Sequence, residues 1–248
     1  MDSLAALVAA ILAALGIVAA PGSPAPKAIS HGAVGHDISW PQCGKAFPQG
    51  SAFGIVGVTQ GKPYFPNPCL AAEYAWAAAT PGGAGFYLNT ANPGAASTVV
   101  KWYQQKTPDA SCGPGHDAAC AYNYGFNGAA NAVAYAQAQT GKTTATTWWL
   151  DVETDNSWSA TDLAANLAAV RGSVDYLQHQ PGVLVGVYST AYQWGRITGG
   201  APLAVANWVA GAASAAEAKA RCTPAWSATG GPVVLTQFFG AFDGDYAC

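Results

Sequence analysis

Apolar, strand-like runs alternate with helix-like segments along most of this 248-residue chain, and that order restricts the fold more than any other feature. The runs are Gly35–Ile38, Phe53–Val58, Gly85–Leu88, Thr147–Val152, Val183–Tyr188, Ala204–Val209 and Val233–Phe239. Most are rich in the β-branched and aromatic side chains that suit a pleated surface. Between them, Pro68–Ala79, Ser97–Gln105, Asn127–Thr140, Thr161–Gln180, Ala191–Gly195 and Ala212–Ala220 read as helices. The clearest is the fourth, where Leu163, Leu167, Val170, Val174 and Leu177 recur at three and four, one face of a helix. Asn127 and Thr161 are the N-caps expected from residue type. Repeated strand–helix–strand units make a parallel sheet covered by helices. The expected fold is therefore α/β, an irregular TIM-like (β/α) barrel with parallel strands, one strand short of the usual eight. An open doubly wound sheet is the other arrangement, but no GxGxxG follows the first strand and no Walker loop is present.

The first residues stand apart. Leu4–Ala20 is an unbroken apolar and small-residue run ending at Pro21-Gly22-Ser23-Pro24, which reads as a secretory signal peptide over 1–28. A short retained anchor is the alternative, since about 17 residues is the lower limit for spanning a bilayer. Residues 29–248 then form a single domain. Six cysteines, an even number in a chain read as secreted, point to disulfides and an extracellular location. Neighbour pairing gives Cys112–Cys120, Cys43–Cys69 and Cys222–Cys248. No CxxC pair or His spacing suits zinc, so no metal or cofactor is expected. Charged residues make up only 9% of the chain, and the ten Lys and Arg are scattered. Such a surface builds no nucleic-acid face and gives no reason to expect a stable membrane partner. A monomer is expected.

With few charges available, the acidic residues that end strands are informative. In Thr147-Trp148-Trp149-Leu150-Asp151-Val152-Glu153 the side chains alternate. Trp149, Asp151 and Glu153 share one face, and Trp148, Leu150 and Val152 the other. Two carboxylates about 6.6 Å apart along a strand do not both ionise freely, and a carboxyl that keeps its proton near neutral pH is what a general acid requires. Asp37 ends the first strand, and Asp243 and Asp245 follow the last. In a barrel these strand ends meet at one mouth. Aromatics near strand ends, Trp40, Tyr64, Phe65, Trp158, Tyr188 and Trp208, can stack on sugar faces or simply pack.

Asp37-Ile38-Ser39, Trp149-Leu150-Asp151-Val152-Glu153, Gly186-Val187-Tyr188-Ser189, and Gln237 followed by Asp243 together resemble the muramidase-type lysozymes of glycoside hydrolase family 25. Gly61, Tyr64 and Asn67-Pro68 follow the same pattern. Asp37 through Cys43 and the run Trp148–Trp158 are more similar still to a related secreted bacterial glycoside-hydrolase-like group. The resemblance implies a barrel that cleaves the muramic acid linkage of peptidoglycan. It implies Glu153 as general acid, Asp151 tuning it, Asp37 and Asp243 lining the mouth, and Tyr188 against substrate. Trp40, Tyr64, Trp208 and Gln237 are the further substrate-binding candidates from their places near strand ends. The chain departs from the family at Gly57, where a lysine is usual, at Gln60 for an acid, at Leu88 for a histidine and at Asp245 for an asparagine. A second reading is therefore a wall- or polysaccharide-binding module that keeps the barrel without catalysis.

Overall fold

The computed structural model describes residues 29–94, 105–113, 118–141 and 146–248. The expected leader over 1–28 and all but the last residue of the expected helix Ser97–Gln105 lie outside the described residues.

Eight strands close into one barrel in sequence order: β1 (Val34–Ile38), β2 (Gly54–Gly57), β3 (Ala84–Asn89), β4 (Thr147–Asp151), β5 (Leu184–Ser189), β6 (Ala206–Ala212), β7 (Val233–Phe238) and β8 (Asp243–Ala247). Around it lie α1 (Leu70–Ala78), α2 (Ala118–Thr140), α3 (Leu163–Gln178), α4 (Ala191–Thr198) and α5 (Ala215–Ala220). Neighbours from β1 to β7 are parallel. The eighth strand corrects the expectation of an all-parallel barrel, because β8 runs antiparallel to both β7 and β1. Its sequence, DGDYA, is poor in strand formers and reads as a loop. The short link after β7 leaves no room for a crossover helix, so the chain can return only antiparallel. This places Asp243 opposite Asp37 and Asp245 opposite Gln237 in register.

Strand alternation sorts the core into two layers. Trp148, Leu150 and Val152 pack outward against Leu70, Val133, Leu167 and Val174 of the helices. Trp149 points inward with Phe53, Ile55, Trp208 and Leu235. Glycines make room for the interior aromatics. A Cβ on Gly186 would lie 2.2 Å from the Trp149 ring, and one on Gly35 2.5 Å from Phe53.

Helix α2 begins nine residues before the expected Asn127. Asn127 lies within it, and its side chain donates to the Thr107 carbonyl at 2.8 Å. Gly125 and Gly128 obscure this start in the sequence, yet Gly125 is what lets α3 approach. A Cβ there would lie 1.8 Å from the Ala169 carbonyl oxygen. The N-cap of α3 is Asp162, not Thr161, its carboxylate accepting from the Ala165 amide. The disulfides are Cys43–Cys69, Cys112–Cys120 and Cys222–Cys248, the pairing expected from neighbour spacing. Among the described residues no helix is long and apolar enough to cross a membrane.

Candidate active site

The carboxyl ends of β1 to β7 and the start of β8 form one mouth. Asp37 is the penultimate residue of β1, Asp151 ends β4, Glu153 lies two residues beyond it, and Asp243 opens β8. Because β8 is antiparallel, its first residue lies at the same end as the last residues of the others. Asp37 and Asp243 sit side by side in register, and β4, with Asp151 and Glu153, faces them across the barrel.

Hydrogen bonds fix these side chains. Gln237 donates to Asp37 Oδ2 at 3.0 Å and accepts from the Tyr188 hydroxyl at 2.7 Å. Asp151 is buried and accepts from Asn89 Nδ2. Asn89 is held in turn by Thr59, whose hydroxyl donates to Asn89 Oδ1 at 2.8 Å. Glu153 is half-buried. Its Oε1 accepts from Gln193 Nε2 at 3.3 Å, while its backbone carbonyl accepts from Trp158 Nε1 at 2.7 Å. Asp245 is fully buried beneath the mouth, accepting from Trp208 Nε1 at 2.9 Å.

Burial raises every one of these carboxyls. It pushes Asp37 up to about 7, the charges of Asp243 and Glu153 adding to the effect and the Gln237 hydrogen bond opposing it. Asp151 is held well above the usual carboxylate range, by burial first and the Glu153 charge second. Burial also raises Glu153, against the Gln193 hydrogen bond, and Asp243. Asp245 goes well above the usual range by burial and the nearby Asp37 charge. The one ion pair among the described residues, Arg221 with Glu217, involves none of them. A cluster of acids without a paired cation retains protons that isolated carboxyls would lose. It can therefore donate a proton near neutral pH while its remaining charge stabilises a nearby cation.

The binding candidates divide. Tyr188 and Gln237 belong to the network at the mouth. Trp40 is exposed on the turn after β1. Trp208 is buried inside the barrel, edge-on to Tyr188 and Trp149, so it supports the floor and offers no open face. Tyr64 packs edge-on against Tyr124 and donates to the Tyr124 carbonyl at 2.7 Å, tying the loop after β2 to α2. Sequence reasoning missed Asn89 and Gln193 as partners of the carboxylates. Neither gave a signal in the sequence, since residues of neighbouring units meet Asp151 and Glu153 only in three dimensions. At Gly57 a Cβ would lie 2.5 Å from Ser39 and 2.7 Å from the Tyr87 ring. The space a side chain at this position would take is filled by Ser39 and Tyr87. A cavity of about 940 Å³ at the opposite end of the barrel is lined by Phe53, Ile55, Trp149 and Leu235 and contains none of these acids.

Residues 125–219 match the family model described as lysozyme-like protein 1. No curated protein matches the chain. Among solved structures, the muramidase from Trichobolus zukalii is 17% identical over 87% of this chain and 93% of its own, at a TM-score of 0.57. The bacterial lysozyme from Streptomyces coelicolor is 16% identical, covering 88% and 93%, at 0.54. A family 25 glycosyl hydrolase from Bacillus anthracis is 13% identical, covering 91% and 94%, at 0.50. The chain shares the fold of these structures, an α/β barrel closed by a mixed eight-stranded sheet.

Proposed function

We propose that this protein is a secreted glycoside hydrolase of the N-acetylmuramidase type, acting on cell-wall peptidoglycan, with Glu153 as general acid. The observation that carries the proposal is the gathering of Asp37, Asp151, Glu153 and Asp243 at one barrel mouth, each raised by burial. The lysozyme-like family match and the muramidase fold support the choice of substrate. Three disulfides and the apolar leader support an extracellular location.

Glycoside cleavage needs a proton at the leaving oxygen and negative charge near the anomeric carbon, which becomes positive. Glu153 suits the first role because it is reachable from the mouth while burial raises its carboxyl above the usual range. Asp151, buried beside it and raised well above the usual carboxylate range by burial first and by Glu153 second, is a positioning residue. Asp243, across the barrel, supplies negative charge, and its neighbour Asp37 adds to it as its carboxyl ionises at about 7. Tyr188 and Gln237 hold Asp37 in place and face the sugar.

The test is release of reducing ends from purified peptidoglycan by the full mature chain. Glu153→Gln keeps the shape and loses the proton, so activity falls by about 10²–10⁴-fold, the usual contribution of a positioned general acid. Equal release by the variant would remove Glu153 from the role. Retention on insoluble wall without any release by the wild type would replace the enzyme with a binding module.

A further inference from the structure

The disulfide Cys43–Cys69 ties the turn after β1 to the start of α1, and its surroundings differ from those of an inert cross-link. A carboxylate oxygen of Glu73 and both sulfurs lie within 4.8 Å of one another. Glu73 is fully buried in the first turn of α1. Its Oε2 accepts from Asn67 Nδ2 at 2.6 Å, while Oε1 has no hydrogen-bond partner. Burying a carboxyl with one oxygen unsatisfied is unfavourable relative to an apolar side chain of similar size. Packing alone gives no reason for it. Asn67 also donates to the Gly57 carbonyl at 2.8 Å and accepts from the Cys69 amide at 2.9 Å, so the acid and the cysteine are oriented by the same side chain. Cys69 is the N-cap residue of α1, where the helix end favours a thiolate. Both cysteines are only partly buried, so a thiol can reach them.

We infer that Cys43–Cys69 is a thiol–disulfide exchange site that takes a dithiol as co-substrate, with Glu73 as its built-in proton donor. One thiolate of the dithiol attacks Cys43 Sγ. The Cys43–Cys69 bond breaks, and its electron pair leaves on Cys69 Sγ, which takes the Glu73 proton. The second thiol of the dithiol then gives its proton to the Glu73 carboxylate and attacks the mixed disulfide. Cys43 leaves as a thiolate and is protonated by water. The dithiol departs as a cyclic disulfide, oxidised by two electrons, and both cysteines end as thiols. Opening this bond unties the turn that carries Trp40 at the mouth.

Burial pushes the Glu73 carboxyl up to about 7, against the Asn67 hydrogen bond, so the proton is available where thiols react. The titratable groups facing Glu73 are Tyr87 of β3 and, through Asn67, Tyr135 of α2, whose hydroxyl donates to the Asn67 carbonyl. No Lys or Arg among the described residues pairs with it.

The experiment reduces the full mature chain with dithiothreitol and follows each disulfide by alkylation and mass spectrometry, with rates normalised to the thiolate form of the reagent. Cys112–Cys120 and Cys222–Cys248 are controls within the same molecule. The expected result is a normalised rate for Cys43–Cys69 that falls with rising pH through about 7. In Glu73→Gln that rate is about tenfold lower at low pH and has no inflection, below the usual gain from a general acid because thiolates leave readily. Identical rates in wild type and variant across the pH range overturn the inference. Should Glu73→Gln disturb folding, the wild type decides alone: an inflection at Cys43–Cys69 that the two control bonds lack supports the site, and parallel profiles for all three refute it.

Discussion

Asp37→Asn separates the cost of ionising the mouth from every other contribution to stability. The substitution keeps the shape, and the new amide oxygen can accept the Gln237 Nε2 hydrogen bond that Asp37 Oδ2 accepts at 3.0 Å. In the wild type the folded carboxyl holds its proton up to about 7, against an unfolded value of 3.8. A group raised in this way favours the folded state fully below its unfolded value and loses that contribution as pH rises through its folded one. At ~1.4 kcal/mol for each pH unit, the difference is about 4 kcal/mol. Water at the open mouth screens part of this, so the figure is a ceiling. Asp243 and Glu153 feel the same charge, and removing it eases their ionisation too. The assay is urea unfolding from about pH 4 to about pH 8 at constant ionic strength, with unchanged m-values confirming the same unfolded state. Wild-type stability should fall with rising pH by up to about 4 kcal/mol more than that of the variant. Parallel curves for the two proteins would refute the claim that Asp37 ionises against its surroundings.

Two glycines give a matched pair. Gly125→Ala forces a Cβ to 1.8 Å from the Ala169 carbonyl, so α2 and α3 must separate. A loss of at least about 1–3 kcal/mol is expected, seen as a lower Tm. Gly195→Ala, inside α4 with nothing within 4 Å of the new Cβ, should instead gain about 0.5–1 kcal/mol in the same melt. Trp208→Phe removes the indole that donates to Asp245 Oδ1, whose Oδ2 already has no partner. It should cost about 1–3 kcal/mol, and the loss should grow as pH rises, because Asp245 then ionises without a donor. A pH-independent loss in urea titrations would count against that account.

The site is legible in part because strand alternation is a local property. Spacing alone puts Trp149, Asp151 and Glu153 on one face, and the structure turns Trp149 of that face into the barrel interior. The partners that hold the carboxyls come from other units. Asn89 reaches Asp151 from 62 residues away and Gln193 reaches Glu153 from 40, distances at which periodicity carries no information. Trp208 and Tyr64 show the limit in the other direction. An aromatic near a strand end looks the same in sequence whether it faces a cleft or a neighbouring ring.

What the sequence determines by itself is whatever depends on neighbours along the chain. That includes the strand–helix alternation, the inward and outward faces of β4, and the disulfides between successive cysteines. Tertiary structure decides the direction of β8, because a strand-poor DGDYA segment forms a strand only when two neighbours with unpaired edges, β7 and β1, lie on either side of it. That direction carries Asp243 to the end of the barrel where Asp37 lies, and Asp245 one pleat beneath. The raised carboxyls follow from this closure, since burial and mutual repulsion arise only once separate strand ends share one mouth.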